Sequence, residues 1–169
     1  QKCNNYKFTT NQYELHIWDT PGLNDTNGTD QDDKNLDMIS KAAEGAVNLS
    51  AIVLVLNGSE ARQTITIKNL FHRLSSTVPD SVLNNIIIVL TNTQAHKTNF
   101  PIPSLYHLAS SAQILCFDNS AFSKNPKARN KSDISLLKDE WAVSMSCCEV
   151  LVDEIANCRQ KSTQEFTEI

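Results

Sequence analysis

The stretch Tyr13–Asp30, YELHIWDTPGLNDTNGTD, decides how the rest of the chain is read. Tyr13, Leu15 and Ile17 alternate with Glu14, His16 and Trp18, the period of two that marks a strand with one more apolar face. The strand stops at Asp19, and Thr20, Pro21 and Gly22 follow. This places a carboxylate at the carboxyl end of a strand, beside a residue of fixed φ and a residue with no Cβ to hold a ligand away. Open α/β sheets bind ligands at that edge. In phosphate-handling sites such a carboxylate holds Mg²⁺, usually through water, and a glycine N–H reaches a terminal phosphate. Asp, Pro and Gly are also ordinary turn residues, so a plain strand-to-loop turn is the competing reading of these four positions.

The tetrapeptide Asp19-Thr20-Pro21-Gly22 resembles the switch II motif of translation-factor-class GTPases. Its extension Leu23-Asn24-Asp25-Thr26, with Gly28 and Asp30, is similar to the subset containing septins, the AIG or immunity-associated GTPases and the import receptors of the chloroplast envelope. The resemblance implies that Asp19 holds Mg²⁺ through water, that Gly22 meets the γ-phosphate of GTP, and that the loop beyond is switch II.

The segments on either side fit an α/β chain. Residues 3 to 8, CNNYKF, lead through Thr9-Thr10-Asn11-Gln12 into the Tyr13 strand, which predicts an antiparallel hairpin. From Asp33, Leu36, Ile39, Ala43 and Val47 recur at helical spacing. Ala51 to Leu56, AIVLVL, is a continuous apolar run, predicted as a strand covered on both faces. Ile67, Leu70, Phe71, Leu74 and Val78 mark a helix closed by Pro79, and Ile86 to Leu90, IIIVL, is a second buried strand. Two such strands joined by a helix predict a mostly parallel sheet. Ser104 is expected to cap a short helix through Leu105, Leu108, Ala109 and Ala112, before a strand at Gln113 to Phe117. A last helix from Ser132 or Asp133 carries Ile134, Leu137, Trp141, Met145, Cys148, Val152 and Ile155 as a predicted core stripe.

Two further loops follow strands. Thr91-Asn92-Thr93-Gln94 stands where Ras-like GTPases carry Asn-Lys-x-Asp, and it looks most like the Thr-His-Ala-Gln of the chloroplast-receptor branch. The resemblance makes Thr91, Asn92 and Gln94 base-binding residues. Gln94 is a neutral acceptor where the Ras-like loop has a carboxylate, so Gln94→Asp is expected from the sequence to tighten GTP relative to ATP. In CFDNSAF, Asn119, Ser120 and Ala121 resemble the fifth G motif, which packs on the base; a turn at the strand's end is the plain alternative. Arg62 and Thr64 stand where the AIG branch has residues that contact a dimer partner or order switch II, and a solvated Arg at a helix start reads equally well. The resemblance implies a homodimer through the G domain. His16 and His96 are tempting as water-positioning groups, although a lone His is more often structural, and no catalytic residue is nominated.

The composition sets bounds. The chain has 169 residues, 40% hydrophobic and 20% charged, the make-up of one soluble globular domain. No apolar run approaches the roughly 20 residues of a membrane span. A net charge of −4 argues against a nucleic-acid-binding surface, which needs clustered Lys and Arg. Basic residues do gather between Lys124 and Lys131, where they read as a solvated loop. The five cysteines show no metal-ligand spacing and read as reduced thiols of a cytoplasmic protein. None of the four glycines begins a G-x-x-x-x-G-K-[ST] loop. The resemblance therefore implies one partial G domain over residues 1–169, of the P-loop NTPase fold, without its first strand, phosphate loop and first helix. In that family the first strand lies between the DTPG strand and the AIVLVL strand. The hairpin is thus expected to sit apart from, or pack irregularly against, the strands of Ala51, Ile86 and Gln113 unless upstream residues complete the sheet, and the chain to bind nucleotide poorly by itself. Two functions are carried forward: a switch that binds and slowly hydrolyses GTP, and a non-catalytic interaction module with a degenerate site, which Gln94 in place of Asp favours.

Overall fold

A computed structural model describes residues 2–22, 29–46, 48–59, 64–78, 80–106, 111–122 and 131–162. The chain is α/β and divides into two compact units. Gln1–Leu49, Ile65–Asp80 and Lys161–Ile169 form the first; Ser50–Thr64 and Ser81–Gln160 form the second.

The first unit opens with an antiparallel hairpin of β1 (Asn4–Thr9) and β2 (Glu14–Asp19). Its turn closes on Thr10, whose N–H donates to the Tyr13 carbonyl at 2.9 Å. The Thr10 hydroxyl oxygen accepts from the N–H groups of Gln12 and Tyr13, so a side chain substitutes for backbone partners in the loop. In this register Tyr6 faces Ile17 and Phe8 faces Leu15, on one side of the ribbon. Lys7 faces His16 on the other side, where Glu14 takes both the Lys7 ammonium and the His16 ring. The Lys7 bond and then the His16 bond hold the Glu14 carboxyl below its ordinary value. His16 also stacks on Trp18. The alternation is as predicted, but the apolar side is not buried, since Tyr6, Phe8 and Ile17 stay exposed. A two-stranded ribbon has no second layer of its own to cover it.

α1 (Thr29–Glu44) begins four residues earlier than the Asp33 start expected from its apolar spacing. α2 (Thr64–Thr77) buries Phe71 and Leu74, with Val78 just beyond its end. Arg73 on α2 is ion-paired with Asp33 on α1. β3 (Asn48–Leu49) pairs with β7 (Lys161–Ser162), a short antiparallel ladder that no sequence pattern marks.

The second unit is built on β4 (Ile52–Asn57), β5 (Ile86–Thr91) and β6 (Gln113–Phe117), parallel in the order β4-β5-β6. Among the described residues, the hairpin strands share no sheet with these three. β5 is central, and Ile86 through Leu90 are all buried. Burying one such side chain stabilises by about 1.5 to 3 kcal/mol, so this run anchors the unit. Val82, in the four-residue α3 (Asp80–Leu83), and Leu105, in α4 (Ile102–Tyr106), complete the core with Leu54, Leu56, Phe100 and Phe117.

Three expectations are corrected. β4 is covered on one face only: Leu54 and Leu56 are buried while Val55 is 63% exposed, as suits a strand at the edge of its sheet. Ser104 lies inside α4 and does not cap it, and residues 107–110 lie outside the described residues. α5 (Lys131–Asn157) forms as predicted, but Ile134, Trp141 and Met145 of its apolar stripe are exposed and Ser144 is buried. All five cysteines are free thiols, and no described helix is long and apolar enough to cross a membrane.

Candidate functional site

Because β4, β5 and β6 are parallel and in register, their carboxyl ends meet at one edge. Asn57 is level with Thr91, and Thr91 with Phe117. The loops leaving those ends carry most of the polar residues singled out above. Gln94 and Ser120 are brought together there by a residue the sequence reading passed over, Asp118. The Gln94 amide nitrogen donates to Asp118 Oδ2 at 2.9 Å, and the Ser120 backbone N–H donates to Asp118 Oδ1 at 3.2 Å. The Ser120 hydroxyl also reaches Glu140 Oε2 on α5 at 2.9 Å, and its single proton serves one carboxylate at a time. Ser144, the buried polar residue of α5, donates to the Asp118 backbone carbonyl at 2.8 Å.

A carboxylate offers about four acceptor positions, more than the Gln94 amide, the Ser120 N–H and the Ser120 hydroxyl take up on Asp118. Burial alone would raise the Asp118 carboxyl. The Ser120 hydrogen bonds, the Gln94 amide and the Lys97 charge outweigh it, and the group is held below its ordinary value. A depressed folded pKa contributes stability that is complete above the ordinary carboxylate value of about 3.9 and disappears as pH falls through the lower folded value. Acid-unfolding curves of wild type and Asp118→Asn are therefore expected to differ at neutral pH and to converge at the acid end.

The other residues of these loops serve mainly to hold them. The Thr91 hydroxyl donates to the Leu56 carbonyl at 3.2 Å. Asn92 has φ 55°, in the left-handed region that Asn tolerates better than most residues, and its amide donates to Asn57 Oδ1 at 3.3 Å. Asn119 is exposed at the start of a 3-10 helix, Asn119–Phe122. At the far end of that helix Phe122 packs against Trp141 of α5, with ring centroids 4.6 Å apart. His96 is exposed in the turn after Gln94, and His16 is committed to Glu14 and Trp18.

The Asp19-Thr20-Pro21-Gly22 segment belongs to the first unit. Asp19 is exposed as the last residue of β2, Thr20 is exposed and Pro21 is buried. Among the described residues, a Cβ added to Gly22 would meet nothing within 4 Å. The Gly22 carbonyl accepts from the Asn35 amide at 2.9 Å, and Asn35 is fully buried on α1. Asn35 thus ties the end of the DTPG segment to the following helix. Leu23 to Gly28 and Arg62 lie outside the described residues, as do 123–130 with Lys124, Lys127 and Arg129. Of Thr64 only its place at the start of α2 is described.

Among the described residues no three His, Cys, Asp or Glu side chains gather to hold a metal ion. A dedicated all-protein cage is therefore not what this donor set offers. One exposed carboxylate suits Mg²⁺, which keeps several waters and binds through one or two carboxylates together with substrate phosphates. Compared with protein-family models and with curated proteins, the chain matches none.

Proposed function

We propose that the chain is a guanine-nucleotide-binding domain of the switch-GTPase kind that its motifs resemble, with the base read by Asp118 and Gln94. The observation that carries this reading is the Gln94-to-Asp118 hydrogen bond at the carboxyl edge of the parallel sheet. Guanine presents two adjacent donors, N1–H and the N2 amine, and a carboxylate, which only accepts, is their natural partner. Adenine presents an acceptor at N1, which a carboxylate repels. The neutral Gln94 therefore does not leave the site without a charge, because the charge stands on Asp118 and Gln94 orients it. That removes the chief support for a degenerate, non-catalytic module.

In the first unit, Asp19 would hold Mg²⁺ through water, and the metal when bound neutralises charge on the transferring phosphoryl group. Buried Pro21 and the Asn35 bond to Gly22 hold the backbone that follows Asp19.

The test is Asp118→Asn. Hydrogen bonds to charged groups contribute roughly 1.5 to 3 kcal/mol, so the preference for GTP over ATP should fall by at least about tenfold. Competition of labelled GTP by unlabelled GTP and ATP measures it, and an unchanged preference would remove Asp118 from the base site.

A further inference from the structure

The turn that leaves β4, Asn57-Gly58-Ser59, grips the loop that carries Gln94 at several points. The Gly58 N–H donates to the Thr91 carbonyl at 2.8 Å. The Gly58 carbonyl accepts from the Thr98 hydroxyl at 3.3 Å, so the two ends of the 91–98 loop are tied to one residue. Between those ties sits Thr93, which is buried and lies immediately before Gln94. Its methyl fills the space a side chain on Gly58 would occupy, and such a Cβ would also come within 3.0 Å of Leu90 Cβ and of the Thr91 carbonyl. On its other side the Thr93 N–H faces the Phe117 carbonyl at the end of β6, at 3.4 Å. Thr93 is therefore a wedge between the β4 turn and the end of β6. Asn57 adds a second brace by accepting from the Asn92 amide while its Oδ1 also accepts from Ser59.

We propose that Gly58 is a positioning residue for the recognition pair. By presenting no side chain to Thr93, it sets how closely the 91–98 loop approaches β6, and so whether the Gln94 amide reaches Asp118. The requirement is steric and comes from the packing against Thr93, Leu90 and Thr91, since a close backbone approach of this kind is what glycine uniquely allows. The ligand consequence rests on the guanine reading above; the positional consequence does not.

The experiment therefore has two readouts on the full-length protein. The first is the Gln94 side-chain amide resonances in an NMR pH titration, which follow the protonation of Asp118 while the two are bonded. The second is competition of labelled GTP by GTP and ATP. In Gly58→Ala the Gln94 resonances are expected to stop following Asp118, and the GTP preference to fall by about tenfold, the worth of one charge-assisted hydrogen bond. Adding Thr93→Ser to that variant removes the obstructing methyl and keeps the hydroxyl, and it should restore both readouts in part. If Gly58→Ala alone does not fold, the double variant decides, and a folded double variant with Gln94 still uncoupled overturns the proposal. So does a Gly58→Ala protein in which Gln94 follows Asp118 as in wild type. Uncoupling with unchanged base preference upholds the positioning role and overturns the guanine reading.

Discussion

Asp19→Ala abolishes Mg²⁺-dependent nucleotide hydrolysis in the full-length protein while leaving its folding transition where it was. The two halves of this expectation come from the same fact. Asp19 is exposed at the last position of β2, level with Asn4 across the hairpin, and no ion pair engages it among the described residues. Removing an exposed side chain of this kind usually changes stability by no more than about 0.5 kcal/mol. Its carboxylate is thus available to a ligand and is not needed by the fold. Mg²⁺ with a bound nucleotide is the ligand the motif implies, and a site that works by positioning and charge neutralisation loses its rate when the metal is misplaced. Phosphate release with and without Mg²⁺, set beside thermal unfolding of both proteins, is the measurement. Hydrolysis near the wild-type rate would disqualify Asp19 as the metal's partner; a large fall in melting temperature would make it a structural residue.

What could be read from the sequence, and what could not, follows from the physics of each element. β5 was legible because five consecutive apolar residues, three of them isoleucine, suit only a strand buried on both faces. β4 has the same texture, but coverage of its second face depends on what lies beside it, and hydropathy does not encode whether a strand is central or at an edge. On α5, periodicity found the helix and misjudged its buried face. Ser144 is buried for the sake of one hydrogen bond to the Asp118 carbonyl, while Trp141 is 49% exposed against Phe122. Asp118 itself was within reach. The rule that singled out Asp19, a carboxylate at the carboxyl end of a strand, applies equally to a residue directly after β6. Asn35 also left a trace, since it shares a helical face with Ile39 and Ala42, and a polar residue among apolar ones on such a face asks for a partner. That the partner is the Gly22 carbonyl required coordinates.

Gln94→Asp is the substitution on which sequence and geometry give opposite expectations. From the sequence, a carboxylate at position 94 restores the Ras-like acceptor and tightens GTP. In the structure the Gln94 amide nitrogen lies 2.9 Å from Asp118 Oδ2, so the exchange replaces a donor with a second acceptor bearing the same charge. An Asp side chain is one methylene shorter, which leaves the two carboxylates about 4 Å apart, where like charges repel by about 4 kcal/mol at an effective dielectric of 20. The pair can relieve that only by keeping a proton or by moving the loop. Keeping a proton raises one folded pKa above its unfolded value, so the stability it confers is present at low pH and lost as pH rises through the raised value. The variant should therefore lose both its preference for GTP and part of its thermal stability at pH 7.5, and regain stability relative to wild type as pH falls towards 5. Parallel GTP and ATP competitions, with melting curves across that range, test both consequences. Tighter GTP at pH 7.5 with an unshifted melting temperature would return the base-reading role to position 94 and take it from Asp118.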